Sequence, residues 1–219
     1  MLERNHVVTF SGGENSVQFD VMRTRLLQVM RANGWKRVAI TSPGPGCGKS
    51  TLALNLAFSL GRQPAVSTIL LEMDMRRPSL ARILGLRERH HFARVLDGIE
   101  PLEQNAMRHG ENLAIATQSG AERRPAELMQ SPSTAAALDA IEAKYEPSVI
   151  LCDLPPVFVS DDAMAVMGHM DAALIIAAAE TTTVKEIDRC EREVAAQTNV
   201  IGVILNKCRY MEKDFGYDY

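Results

Sequence analysis

No apolar run in this chain is long enough to cross a bilayer, and nothing at its start reads as a secretory leader. Work at a membrane would therefore need another polypeptide to hold the chain there. Positive charge is not in excess either. The formal net charge is -3 and the pI near 6.0, so the chain lacks the electrostatic footprint of a nucleic-acid binder. The four cysteines, at 47, 152, 190 and 208, show no C-x-x-C spacing. Free thiols in a reducing cytoplasm fit this better than a disulfide framework. Repeats and low-complexity tracts are missing as well. Tyrosine is scarce and unevenly placed: of four in the chain, Tyr210, Tyr217 and Tyr219 fall in the last ten residues.

What remains is an ordinary globular balance. With 219 residues, 46% of them hydrophobic, the chain can build one sizeable core. Short apolar runs at 37–41, 68–73, 113–117, 148–152, 172–178 and 200–205 have the character of strands buried on both faces. Helical patterns lie between them, at 50–60, 133–145, 160–169 and 183–197. A further helix precedes them, with apolar residues at helical spacing from Val17 and a stop at Asn33-Gly34. Strands alternating with helices predict an α/β fold, a doubly wound and mostly parallel sheet with helices on both faces. Ligands then sit at the carboxyl ends of the strands. Residues 1–15 read as a polar, loosely ordered lead broken by Gly12-Gly13. The charged stretch from Arg87 to His91 reads as a solvated loop, and its His90-His91 pair is weak evidence for a metal.

The densest signal is Ser42-Pro-Gly-Pro-Gly-Cys-Gly-Lys-Ser-Thr51, between a predicted strand and a predicted helix. Strand, glycine-rich turn, Gly-Lys-Ser and helix form a phosphate-binding P-loop. Gly44, Pro45, Gly46, Cys47 and Gly48 would let backbone N–H groups close around a phosphate. The new helix, opening through Lys49, Ser50 and Thr51, points its positive end at the same spot. Lys49 reaches the β- and γ-phosphates, and the Ser50 hydroxyl ligates Mg²⁺. The strict motif wants glycine at position 43, where this chain has proline.

Two other strand ends carry acids. In Leu70-Leu-Glu-Met-Asp74, Glu72 and Asp74 stand two apart and face the same side of an extended segment. In Val149-Ile-Leu-Cys-Asp153, an apolar run ends in an aspartate of Walker B type, which holds Mg²⁺ or its water. A single strand-end aspartate is usually a turn former or cap. Three such strand ends in this order argue for an Mg-nucleotide site.

The stretches Leu70-Leu-Glu-Met-Asp-Met-Arg-Arg-Pro78 and Ile150-Leu-Cys-Asp-Leu-Pro-Pro-Val157 resemble the Walker A′ and Walker B elements of bacterial tyrosine kinases of capsule and exopolysaccharide synthesis. The resemblance runs from about Phe19 to Asn206 and extends to the related division-site and partition ATPases. Those carry an extra lysine early in the loop, where this chain has Gly44. The resemblance implies an autophosphorylating, ATP- and Mg²⁺-dependent protein-tyrosine kinase that regulates polysaccharide polymerisation and export. Lys49, Asp74, Asp153 and the residue at 72 would be catalytic, with Ser50, Asp74 and Asp153 serving the metal. Asn206 would contact the adenine, and Tyr210, Tyr217 and Tyr219 would accept phosphate. It also implies self-association and a membrane co-polymerase as activator, which would keep the chain cytoplasmic at the inner face of the membrane. The organisation expected is a lead at 1–15, a kinase domain at 16–207 and a tyrosine-bearing tail at 208–219. A nucleotide switch without kinase activity, or a non-catalytic nucleotide-binding partner of the export machinery, are the alternatives. Two departures stand out. Position 72 holds Glu where the family has Asp, and of the family's Glu-x-x-Arg-x-x-Arg oligomerisation helix only Arg23 is retained, with Val17 and Asp20 at the earlier positions.

Overall fold

The computed structural model describes residues 2–10, 13 and 16–209. The three tail tyrosines at 210, 217 and 219 lie outside the described residues. The elements in chain order are α1 (Val17–Asn33), β1 (Arg37–Thr41), α2 (Lys49–Gly61), β2 (Thr68–Glu72), α3 (Leu80–Leu84), α4 (Phe92–Leu96), β3 (Ala106–His109), β4 (Leu113–Ala116), α5 (Pro125–Gln130), α6 (Pro132–Tyr145), β5 (Val149–Asp153), α7 (Asp162–Met167), β6 (Ala172–Ala178), α8 (Val184–Ala195) and β7 (Asn199–Asn206). Seven strands form one sheet in the order β3-β4-β2-β5-β1-β6-β7. All pairings are parallel except β3 with β4.

Side chains alternate across the strands, so each strand feeds both faces of the sheet. Leu70 and Leu151 join Leu26, Leu54, Leu56 and Leu80 under α1, α2 and α3. Leu71 and Ile150 join Phe92, Met129, Leu138, Val166 and Cys190 under α4 to α8. Each large aliphatic side chain buried this way contributes about 1.5–3 kcal/mol. Helix α2 is covered all round, with every residue from Leu52 to Leu60 buried, which holds the start of the helix rigidly under the glycine-rich loop.

Gly34 ends α1 in the left-handed conformation (φ 69°), its N–H bonded to the Met30 carbonyl, as the Asn33-Gly34 signal predicts. Helix α8 opens on a capping box, Thr183 and Glu186 bonding each other's backbone N–H groups. Among the described residues no helix is long and apolar enough to cross a membrane.

Four expectations are corrected. Residues 7–9 of the lead are packed: Val7 and Thr9 are buried, and the Asn55 side chain accepts from the Val8 and Thr9 N–H groups at 2.8 and 3.1 Å. A partner 46 residues away in sequence leaves no local pattern. Strand β7 is not buried on both faces. It is an edge strand with Val203 and Leu205 exposed. His90 is not solvated either. Its ring stands against the Thr117 hydroxyl at 3.0 Å, and no group of three or more His, Cys, Asp or Glu side chains that could hold a metal forms among the described residues. Finally, α3, α4, α5 and the antiparallel β3 have no counterpart in the pattern reading. Segments of four to six residues are too short for periodicity to reveal.

Candidate phosphate and metal site

The carboxyl ends of β1, β2 and β5 meet at one edge of the sheet. Thr41 donates to the Pro155 carbonyl at 2.8 Å, and the Val157 and Phe158 N–H groups donate to the carbonyls of Ser42 and Pro43. The loop after β5 thus braces the turn after β1. Pro43 does no harm in this setting, because positive φ falls on Gly46 and Gly48 and not on position 43. Inside the turn the Ser42 hydroxyl donates to the Gly44 carbonyl at 2.7 Å, with the Cys47 thiol on the same oxygen at 3.4 Å. Gly48 is the position that only glycine fits. Its φ is 90°, and a Cβ there would stand 2.4 Å from Asn206 Nδ2. That amide donates to the Cys47 carbonyl at 2.9 Å, so the end of β7 is fastened to the loop.

A cavity of about 370 Å³ opens above the turn, lined by Pro45, Gly46, Gly48, Lys49, Ser50, Thr51 and Asp74. The structure therefore brings most of the predicted phosphate and metal residues to one place. Asp153 is fully buried and does not itself line the cavity, but Lys49, Ser50 and Asp74 of the cavity wall act on it, and neither of its oxygens has a hydrogen-bond partner of good geometry among the described residues. Burial pushes its carboxyl up to about 6, with Lys49 and the nearby Ser50 hydroxyl opposing that rise. Asp74 is also raised by burial, again against the pull of Lys49, and accepts from the Arg77 N–H at 3.1 Å. A buried carboxylate with two bare oxygens, beside a serine and a second acid, is a donor set for a hard divalent cation. The residues present fit Mg²⁺.

Glu72 departs from its expected place. It is completely buried and absent from the walls of the cavity. One oxygen accepts from the N–H groups of Ser79 and Leu80, at 2.5 and 2.7 Å, and the other from Gln118 at 2.8 Å. Glu72 therefore does not share the cavity wall with Asp74. The extra methylene, about 1.5 Å long, carries the carboxylate to the start of α3 and the end of β4. Burial raises its carboxyl to about 7, and the three N–H groups oppose that shift.

Several lining residues escaped the sequence reading. Arg76, Arg77, Ser79 and Arg82 border the cavity on the α3 side. Arg76 forks onto Asp162 at the start of α7, Nη2 meeting Oδ1 at 3.0 Å, and so ties the segment after β2 to the segment after β5. Arg76 and Arg77 stand in the quoted motif, but only the fold shows that they border the cavity. Arg23, the position that the resemblance assigned to an oligomerisation helix, bonds to Asp20 and Ser59 of its own chain.

Several known proteins resemble this chain. The chain is 27% identical over 198 residues to the putative tyrosine-protein kinase EpsB of Ralstonia nicotianae, an alignment covering 90% of this chain but 26% of EpsB. The chain thus spans about a quarter of that relative. To the tyrosine-protein kinase YwqD of Bacillus subtilis it is 27% identical, covering 93% of this chain and 86% of YwqD. The crystal structure of the chimerical protein CapA2B2 superposes with a TM-score of 0.81 at 24% identity, covering 90% of this chain and 87% of that one, a likeness of fold. The family model ParA, described as NUBPL iron-transfer P-loop NTPase, matches residues 35–218. A nucleotide-binding loop built on a parallel sheet, matched over most of its length, places this chain in the ParA family of P-loop NTPases.

Proposed function

We propose that this chain is an ATP- and Mg²⁺-dependent protein-tyrosine kinase that phosphorylates tyrosines in its own tail sequence and regulates exopolysaccharide or capsule export. The observation that carries the reading is Asp153, a buried carboxylate with two bare oxygens, next to Lys49 on a glycine-rich loop. The names of the relatives, the lack of a lysine at Gly44 and the tyrosines at 210, 217 and 219 support a kinase over a switch.

In this reading the backbone of residues 44–51 and the Lys49 ammonium hold the phosphates. Ser50, Asp74 and Asp153 hold Mg²⁺, which neutralises developing charge on the phosphates when bound. With Glu72 held away from the cavity, Asp74 takes over both parts of the acidic pair at 72 and 74, helping to place the metal and accepting the tyrosine proton. Phosphoryl transfer is mostly positioning and charge neutralisation, so no further nucleophile on the protein is required. Asn206 stands on the base side, and residues 208–219 form the acceptor segment. A membrane co-polymerase is the activator that holds the chain at the inner face of the membrane, where copies associate.

The test is incubation with ATP and Mg²⁺, with and without a membrane activator, followed by detection of phosphotyrosine. Signal lost in Lys49→Met and in the triple Tyr→Phe tail variant is the expected result. ATP turnover indifferent to the tail variant, with no labelled protein, would convert the reading into a nucleotide switch.

A further inference from the structure

Four cations line the phosphate cavity, Lys49, Arg76, Arg77 and Arg82, against a single acid, Asp74. Two of the four are committed. Lys49 acts on Asp74 and Asp153, and Arg76 forks onto Asp162. The other two are exposed. Arg77 exerts only a minor pull on Asp74. Neither its guanidinium nor that of Arg82 forms an ion pair or hydrogen bond among the described residues. The loop N–H groups, Lys49 and Mg²⁺ serve the phosphates in the reading above, which leaves Arg77 and Arg82 for another anion.

The fold fixes where Arg82 stands. Helix α3 has five residues, too few to hold together alone. Glu72 accepts from the Ser79 and Leu80 N–H groups at its start, and Leu80 and Ile83 are buried. Arg82 belongs to the turn that this buried acid secures.

The chain itself contains an anion of matching kind. Residues 210–219 carry Glu212, Asp214 and Asp218 against Lys213 alone, and each tyrosine there stands within two positions of an acid. In an extended peptide such neighbours lie about 3.5–7 Å apart, within the reach of an arginine side chain. Asn206, just before this segment, bonds to the Cys47 carbonyl of the loop at 2.9 Å, and Gly48 of the same loop lines the cavity. The segment therefore sets out from beside the site.

We propose that Arg77 and Arg82 dock carboxylates that flank the acceptor tyrosine, so that the segment 208–219 is selected as acceptor by its acids. The proposal rests on the kinase reading of the cavity and names its substrate class, an acidic tyrosine peptide. A guanidinium meets a carboxylate with two parallel N–H donors, and charge complementarity sets partner choice more than raw affinity.

The experiment exchanges charge between the two sides in the full chain. One variant carries Glu212→Lys, Asp214→Lys and Asp218→Lys, a second carries Arg82→Glu, and a third combines them. Initial rates of phosphotyrosine formation are expected to fall at least fivefold in each of the first two. The combination is expected to recover to within twofold of the unaltered protein, which a merely structural Arg82 would not allow. Arg77→Ala is expected to shrink the difference between the acidic and the lysine tail. Mg-ADP affinity, by titration calorimetry, is expected to stay within twofold with Arg82→Glu. A lysine tail labelled as fast as the acidic one, a combination no better than its parts, or Mg-ADP weakened as much as the rate would overturn the proposal. If the unaltered protein forms no phosphotyrosine, the kinase reading falls. Docking then stands if a labelled 208–219 peptide binds the Mg-ADP complex at least fivefold tighter than its lysine counterpart, and equal binding sinks it too.

Discussion

Glu72 and Asp153 are register partners at the ends of adjacent strands β2 and β5, and both are fully buried. Their surroundings differ in one respect. Three backbone N–H groups converge on Glu72, whereas no backbone N–H reaches Asp153, which has only the Ser50 hydroxyl and the Lys49 ammonium nearby. The first carboxylate is spent on structure, joining β2 to the start of α3 and the end of β4. The second lies behind the cavity wall, beside Lys49, Ser50 and Asp74, and in the proposed reading a divalent cation satisfies it. Neighbouring positions in one sheet thus divide into a fastener and a candidate ligand according to what the following loops bring to them.

The largest expected effect tests the bare carboxylate. Asp153→Asn should lower Mg-dependent nucleotide turnover by at least about a hundredfold, the scale of losing one preorganised electrostatic group. Its melting temperature without Mg²⁺ should hold or rise, because an unpaired buried charge is costly. A large fall in stability with little loss of turnover would reverse the assignment.

Glu72→Ala should do the opposite. Each buried N–H left without a partner costs about 1–3 kcal/mol, so a loss on the order of 3 kcal/mol is expected. That corresponds to a melting temperature lower by about 6–12 °C in a chain of this size. Thermal unfolding checks it, and a fall well below that range would make the three hydrogen bonds incidental.

The two acids should also shape stability against pH. Both have folded-state values raised above the ordinary carboxylate range, to about 7 for Glu72 and about 6 for Asp153. The folded state then binds more protons than the unfolded one between roughly pH 4 and 7, so stability falls as pH rises through that window. Denaturant unfolding without Mg²⁺ at several pH values should show this slope. Asp153→Asn should flatten its lower part, and saturating Mg²⁺ should do the same in the unaltered protein, because the cation and the proton compete for one carboxylate. An unchanged profile in both cases would mean that Asp153 does not titrate there.

The smallest effect is expected from Glu72→Asp. Shortening the side chain by about 1.5 Å draws the carboxylate back from Ser79, Leu80 and Gln118. A loss of about 1–2 kcal/mol should follow, with no gain in phosphotyrosine. A gain would show that the acid regains the cavity when shortened.

Much of this molecule is legible along the chain. The strand runs at 37–41 and 172–178 match β1 and β6 residue for residue, because strands buried on both faces must be continuously apolar. The loop at 42–51 is recognisable because every part of a phosphate cradle is contiguous there. The acids at 74 and 153 can be found because apolar runs end on them. Glu72 was visible as a residue but not as a fastener, since its partners at 79, 80 and 118 belong to segments too short or too distant to pattern. The lead was misjudged for the same reason, its latch being Asn55.

The sequence by itself therefore determined the sheet-and-helix alternation, the glycine-rich turn and the strand-end acids, because each depends on residues near one another in the chain. Only the tertiary structure decided which acid lacks backbone partners, which cations border the cavity and where the residues before α1 dock. Those choices depend on which backbone N–H groups and side chains arrive from elsewhere. No local spacing records that, whereas the packing of α3, α7 and the lead around the loop does.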